Sequence, residues 1–500
     1  MTININGNIN RYYVQTLCMI FFPGAGFSDN AADDGTPTLY VDVIEEEGLC
    51  RARARAVLGE ADIIEEKTAV YSEERSAERT VKIAVGAAVI AALGAIMSYR
   101  PAWGIMVGVR PSKVAMEYLN AGMKKTKVKE LLVNDYLVIP KKAALATKVA
   151  ASERRIIGTP DQKDCSVYIS IPFCPSRCSY CSFVSYSSKK LLSLIPDYLV
   201  SLKKDICDNF ALIKKLGLKV KTVYIGGGTP TILDEEQLSE LLGTVSNNID
   251  TSTLEEYTLE AGRPDTITEG KLAIAASHGV TRISVNPQSL CPEVLDRVGR
   301  HHSVEEFYKA YNTAAKSGIK YINTDLIVGL PGDSFKTFSA TFDEILALRP
   351  ANITVHTFCV KKSADIIKSS NDVFSMRGGD ASKCVDYTQL KSPQAGYSPY
   401  YMYRQKKTVG NLENVGFALE GTEGIYNVHM MEETHSIFAV GAGAVTKIVK
   451  QGSDSDETKK SKIIRLFNPK YPYEYLSDNK SAEMLAEIER YYTEEIFANE

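Results

Sequence analysis

The sequence predicts an α/β protein, with a parallel sheet and helical crossovers in mid-chain, an α+β region before it and a smaller region after. Three observations carry that expectation. Between residues 165 and 357, short apolar runs alternate with stretches of helical periodicity, the pattern of strand–helix–strand units. Cys174, Cys178 and Cys181 follow the first of those runs at C-x3-C-x2-C spacing. The 500 residues, 44% of them hydrophobic, are too many for one ordinary core and call for two or three domains.

Charge and cysteine usage narrow the function classes. A net charge of −3 and a pI near 6.2 leave no basic footprint for nucleic acid. Outside the trio, the other seven of the ten cysteines are scattered singly, which in a long chain fits a reducing cytoplasm rather than a disulfide framework. The apolar run 17–22 is too short for a signal or span. The run 83–97 falls short of the roughly 20 residues a span needs, and its Ala and Gly suit a helix packed inside a domain. No membrane span is expected.

In chain order, residues 3–9 alternate around Asn6-Gly7, a hairpin signal. Residues 39–44 and 51–58 read as strands. In the second, Arg51, Arg53 and Arg55 alternate with Ala52, Ala54 and Ala56, giving a packed face and a face that is either solvated or anion-binding. Residues 72–97 read as a long helix, and 113–155 as further helix. Residues 1–155 thus form an α+β accessory domain, and 156–164, containing Gly158-Thr159-Pro160, a linker. From 165 the strand candidates are 165–171, 219–225, 256–260, 282–286, 321–326 and 352–357, with helices between them. Six such strands imply right-handed crossovers in a doubly wound sheet or a partial barrel spanning 165–360. Past 361 the pattern becomes polar and rich in Gly and Tyr, ending in a helix near 481–497.

Three local thiolates after a strand can grip one inorganic centre. Iron–sulfur cubanes normally take four thiolates, so three leave one iron open; a structural zinc loop usually needs a second cysteine or histidine pair, which this sequence lacks. The loop in "YISIPFCPSRCSYCSF" resembles the cluster motif of radical S-adenosylmethionine (SAM) enzymes, and its flanks resemble the HemN-like coproporphyrinogen dehydrogenase family, most closely its HemZ group. "WGIMVGVRPSKVAMEYLNAG" resembles the region before the barrel in that group, and the likeness covers about residue 103 to the C-terminus. The resemblance implies an open, TIM-like (β/α)6 barrel, a [4Fe–4S] cluster on Cys174, Cys178 and Cys181, and SAM chelating the fourth iron. It also implies a small C-terminal domain, 361–500, covering the substrate.

Other motifs lie near strand ends, where barrels gather their chemistry. Gly226, Gly227 and Gly228, followed by Thr229, let the backbone approach a ligand closely, and match the family segment that holds the SAM amino group. Glu260, in "TLEAGRPD", suits a salt bridge to Arg263; the resemblance makes it a SAM ligand instead. Gln288 and Arg300 stand twelve residues apart, as in HemN-like proteins. An arginine fork fits a carboxylate, making Arg300 the candidate clamp for that of SAM. Asp325, in "NTDLIVGLPG", needs a buried partner, which the resemblance supplies as the SAM ribose or adenine. Tyr168 matches a family tyrosine near SAM, and Tyr180 lies within the loop.

In the tail, "GYSPYYMYRQKKTVGNLENVGF" offers aromatic faces and cations, among them Tyr401, Arg404 and Lys406, for a flat macrocycle with propionates. Gly441-Ala442-Gly443-Ala444 could approach the same cavity, and His356 ends the last strand. Two positions depart from HemN: Phe183 stands where HemN has a fourth cysteine, and Ser170 where it has histidine.

The resemblance therefore implies oxidative decarboxylation of coproporphyrinogen III propionates to vinyls by a 5′-deoxyadenosyl radical. A flavodoxin or ferredoxin would supply low-potential electrons, and no side chain would act as acid or base. The alternative is a haem chaperone like the HemW relatives, with His356, His429 or a cysteine as haem ligand.

Overall fold

Six parallel strands form the centre of the larger sheet in the computed structural model, which describes residues 1–29, 35–183, 185–359, 379–405, 408–452, 461–478 and 480–498. The chain divides into two compact units. One comprises Met1–Ala151, Asn371–Ser382 and Met402–Glu413, the other Ser152–Ser370, Lys383–Tyr401 and Asn414–Glu500.

The first unit begins with a four-stranded sheet in the order β1 (Thr2–Asn6), β2 (Thr38–Glu46), β3 (Leu49–Leu58), β4 (Ala61–Val70). The hairpin expected around Asn6-Gly7 is not formed. After Gly7 the chain enters α1 (Arg11–Phe21), whose first turn is capped by the Asn10 side chain accepting from Tyr12 N–H, and β1 pairs in parallel with β2. A cap close behind the turn and a better partner farther along the chain outweighed the local signal. The alternation in β3 is realised, with Ala52, Ala54 and Ala56 buried. Its arginine face meets acids on neighbouring strands, Arg55 with Asp62 at 2.6 Å and Arg51 with Glu66 at 3.5 Å, so it is a neutralised, wet face.

Helix α2 (Ala77–Met97) starts at a Ser76 cap and is, by length and composition, long and apolar enough to cross a membrane; 61% of its most apolar window is buried within the fold. Its small residues admit neighbours: a Cβ at Gly86 would lie 2.5 Å from the Tyr13 hydroxyl and 2.9 Å from Ile105. Helices α3 (Pro111–Asn120), α4 (Lys125–Asn134) and α5 (Pro140–Ile157) follow. A closed polar network lies at this unit's centre: Glu413 accepts from Lys142 Nζ at 2.5 Å and from Trp103 Nε1 at 2.9 Å. Burial alone would raise its carboxyl, but the ammonium and the indole N–H outweigh burial and hold it below the usual range.

In the second unit, β5 (Asp164–Ile171) leads through α6 (Lys189–Leu192) and α7 (Ile195–Lys215) to β6 (Lys219–Gly227). Helix α8 (Glu235–Asn248) precedes β7 (Glu256–Glu260), and α9 (Glu269–Ser277) precedes β8 (Arg282–Ser284). Helices α10 (Pro292–Arg297) and α11 (Val304–Lys316) lead to β9 (Tyr321–Val328), and α12 (Phe335–Leu348) to β10 (Asn352–Thr357). The six strands pair in sequence order, all in parallel, as in a partial barrel. Strands such as β5 are near-continuously buried, as expected of parallel strands covered on both faces.

After α13 (Gly379–Gln394), the tail adds strands to both edges of this sheet, strands the sequence reading had not identified. Past β10 come β12 (Glu413–Ala418), antiparallel to it, and then β11 (Ser398–Arg404). Helix α14 (Ile425–Glu432) separates these from β13 (Ser436–Val440), which pairs in parallel with β5, and β14 (Val445–Lys450) and β15 (Lys462–Phe467) continue outward. Helices α15 (Pro472–Ser477) and α16 (Ser481–Tyr491) close the described fold.

Candidate cofactor site

The cysteine loop leaves β5 at Ile171 and is clasped at its root from two sides. Tyr186 N–H donates to Pro172 O at 2.9 Å, and Cys174 N–H donates to Tyr186 O at 3.0 Å. From the end of β6, Gly228 N–H donates to Ile171 O at 2.8 Å and Thr229 N–H to Phe173 O at 2.7 Å. This clasp explains the glycines. A Cβ at Gly228 would fall 2.4 Å from Phe173 O, and Gly227 has φ +106°, outside the reach of other residues.

Thr229 Oγ1 donates to Cys174 Sγ at 3.4 Å. Cys178 is buried and its sulfur faces two guanidinium groups, Arg263 Nη1 at 3.8 Å and Arg300 Nη1 at 3.9 Å. Burial raises the thiols of Cys174 and Cys181, each of which also feels the neighbouring sulfurs. Among the described residues, no three His, Cys, Asp or Glu side chains converge to hold a single metal ion. A cubane makes a different demand, since each thiolate binds its own iron at a separate corner. Three neighbouring thiols, two cations beside one of them and, among the described residues, no fourth protein ligand fit that cluster and do not fit a tetrahedral zinc site.

Arg263 does not pair with Glu260. Its fork holds Asp265 in a bidentate pair at 2.9 and 3.0 Å, and Nη1 also donates to Ser176 Oγ at 2.9 Å. Arg300 is likewise committed to the protein. It donates to the carbonyls of Gly262 (2.7 Å) and Asn286 and to the Tyr180 hydroxyl (3.3 Å), while its buried Nε has no partner. Both arginines thereby place positive charge beside the cluster loop.

Glu260, at the end of β7, accepts from the Tyr224 hydroxyl of β6. Burial first, then the nearby Asp325 carboxylate, raise its carboxyl to about 7, against the lowering pull of Tyr224 and His356. Tyr224 stacks on Tyr426 of α14 at 4.5 Å and on Tyr168 of β5 at 6.1 Å. Asp325, in β9, accepts from Asn286 Nδ2 at 3.1 Å, and its Oδ2 lies 3.6 Å from His356 Nε2. Gln288 has φ +67°, and its buried Oε1 has no partner; its backbone is pinned to β9 through Asp325 O at 3.1 Å and Ile327 N at 3.0 Å. A strained residue with an orphaned buried acceptor, and a raised carboxyl on a neighbouring strand, are the features of a candidate ligand site.

The structure thus brings two sets together: the cysteines with Tyr180, Gly228, Thr229 and Arg300, and Glu260 with Tyr168, Asp325 and His356. The tail candidates sit elsewhere. Tyr401 is a core residue whose ring crowds Gly416 and whose hydroxyl lies 3.3 Å from Thr354 Oγ1. Arg404 is buried in the first unit, donating to Met106 O and Asn411 Oδ1, each at 2.5 Å, with its guanidinium over Trp103. Lys406 lies outside the described residues. The 441–444 glycines serve packing: a Cβ at Gly441 would meet Ser170 O and the Tyr198 hydroxyl, and Ser170 Oγ donates to Ala442 O. His429 is buried against His435 at 4.2 Å. The sequence reading missed Arg263 as a partner of Cys178, Asn286 as the partner of Asp325, and the stack of Tyr224 and Tyr426. Nothing in local periodicity marks Tyr426, which enters from a helix nearly 170 residues beyond Glu260.

Comparison with known proteins bears on this geometry. Residues 168–345 match the radical SAM superfamily. The chain is 35% identical over 429 residues to the oxygen-independent coproporphyrinogen-III oxidase-like protein HemZ of Bacillus subtilis, covering 85% of this chain and 83% of that one. It is 33% identical over 197 residues to the haem chaperone HemW of the same organism, covering 39% of this chain and 51% of that one. Among solved structures, coproporphyrinogen III oxidase (HemN) of Escherichia coli aligns with a TM-score of 0.51 at 20% identity, over 66% of this chain and 72% of that one, a likeness of fold.

Proposed function

We propose a function for this chain, which belongs to the HemN-like family of radical SAM proteins: oxygen-independent oxidative decarboxylation of coproporphyrinogen III propionates to vinyls, yielding protoporphyrinogen IX. Its cofactors are a [4Fe–4S] cluster and SAM, which when bound supply a 5′-deoxyadenosyl radical able to take a hydrogen atom from an unactivated carbon. The reading rests on one observation above the rest: the likeness to HemZ runs over 85% of the chain, whereas the likeness to HemW covers 39%.

In this reading, Cys174, Cys178 and Cys181 hold three irons, with Arg263 and Arg300 offsetting thiolate charge at Cys178. Glu260, Gln288 and Asp325 bind the SAM amino, carboxyl and nucleoside groups, and Tyr168 walls the pocket. Arg300 acts from behind the loop, since its fork is already occupied; its positive charge attracts the SAM carboxylate without a direct clamp. The chain's own task is to bind, orient and exclude water. Each of the two propionates converted would lose one hydrogen atom to the radical, then carbon dioxide and one further electron, the latter to an external one-electron acceptor, and no general acid or base is needed.

A second reading, haem binding without decarboxylation, draws on the HemW relatives and on Phe183 in place of the HemN cysteine. His356, beside Asp325, would be its axial ligand. Anaerobic reconstitution with dithionite and SAM separates the two. Deoxyadenosine that depends on coproporphyrinogen III, with a vinyl-bearing product, is the expected outcome. A cluster that forms, no porphyrin product and retained haem would replace the first reading by the second.

A further inference from the structure

Beside the cysteine loop lies a surface that the cofactor site does not use. Phe183, two residues past Cys181, is 71% exposed. Tyr186, whose backbone clasps Cys174, has its ring 5.6 Å from Tyr471, which in turn stacks on Tyr473 at 5.3 Å; Tyr473 is 50% exposed. Lys470 Nζ lies 5.7 Å from the Tyr471 ring centre. Arg177, exposed between Cys174 and Cys178, lies close enough to Tyr186 and Cys181 to act on both electrostatically. The acid in this stretch, Glu474, is turned back to accept from Tyr471 N–H at 3.3 Å.

A run of stacked, partly exposed tyrosines with an exposed phenylalanine and cations beside the same loop has the composition that protein interfaces use. This chain carries a net charge of −3, so a cationic rim here is a local inversion of the molecule's sign. Such a patch steers an acidic partner toward this face. A cluster held by the loop needs one electron per turnover from outside, and these residues adjoin the loop: Arg177 lies within it, Phe183 just after it, and Tyr186 clasps Cys174 through its backbone.

We propose that the patch formed by Phe183, Tyr186, Tyr471, Tyr473, Lys470 and Arg177 docks an acidic one-electron carrier protein, and that the cluster's electron enters here. The carrier loses one electron and the cluster gains it; no atom or proton moves. The inference rests on the cluster assignment above. The contact is of the small, transient kind suited to electron transfer.

The test uses oxidised flavodoxin as an acidic probe. It is titrated calorimetrically into cluster-loaded wild type, Lys470→Glu and Tyr473→Ser, at low and high salt. Cluster reduction is then followed by absorbance with reduced flavodoxin and, separately, with dithionite. Lys470→Glu is expected to weaken binding about tenfold at low salt, less at high salt, and to slow flavodoxin-driven reduction in proportion. Dithionite-driven reduction should match wild type in both variants. Unchanged flavodoxin binding and reduction would overturn the proposal, as would an equal loss with dithionite, which would place the damage in the cluster site. A variant that changes only the oligomeric state would make the patch a self-interface and also overturn it. If wild type binds flavodoxin but dithionite yields no deoxyadenosine, the function reading fails while the docking surface stands.

Discussion

Glu413 in the first unit and Glu260 in the second are both glutamates in low-dielectric surroundings, and they have opposite fates. Glu413 has both oxygens satisfied, by the Lys142 ammonium and the Trp103 N–H, and its carboxyl is lowered. Glu260 is given one tyrosine hydroxyl and a like-charged neighbour, and its carboxyl rises to about 7. A completed set of partners holds a fold; an uncompleted one is the mark of a candidate binding site, and the buried Gln288 oxygen is a second group left open. Burial is common to both, so what separates structure from site is the count of partners.

The contrast can be broken at either end. The largest effect is expected from Cys178→Ala: iron and sulfide content fall and SAM cleavage drops to background, while the far-ultraviolet dichroism is kept. Next is Glu413→Ala, which strands the Lys142 ammonium and should cost about 3–5 kcal/mol of stability, read in urea; the paired change with Lys142→Met should recover most of it. Glu260→Gln should leave stability intact or improve it and weaken SAM binding about tenfold, or ~1.4 kcal/mol.

Its pH dependence sharpens the point. Because the folded carboxyl of Glu260 is raised from 4.5 to about 7, the unfolded chain ionises first. The contribution of Glu260 to stability is therefore greatest below about 4.5 and falls as pH rises toward 7, a component of the slope that Glu260→Gln should remove. SAM affinity should move the other way, strengthening through about pH 7 as the Glu260 carboxylate forms. The smallest effect is expected from Gln288→Gly. It relieves a φ of +67° and so gains up to about 1 kcal/mol of stability, while SAM binding weakens several-fold.

Much of the barrel was legible. The strands 256–260 and 352–357 fall where the strand–helix alternation placed them, their β-branched and aromatic residues such as Tyr257, Ile353 and Val355 suiting buried strands. The cysteine loop was legible because its spacing is a ligand set. The tail strands were not, since β11 to β15 take their places by pairing with strands formed far earlier in the chain, which no local pattern reports. The hairpin at Asn6-Gly7 failed for the same reason. Tyr401 and Arg404 looked like substrate contacts because aromatic and cationic side chains read alike in a core and in a pocket; only their packing shows them buried.

The pairing of β5 with β13 also bears on the order of synthesis. All six parallel strands are complete by Thr357, yet the outer edge of β5 finds Ser436–Val440 only some 270 residues after it is made, and β10 finds β12 some 60 residues later. Until then a nascent chain carries two bare, apolar strand edges, the state most prone to pair with another chain. Ribosomes stalled near residue 360 should thus yield aggregates where full-length chains stay dispersed, and the long sequence separation should make the last step of folding slow.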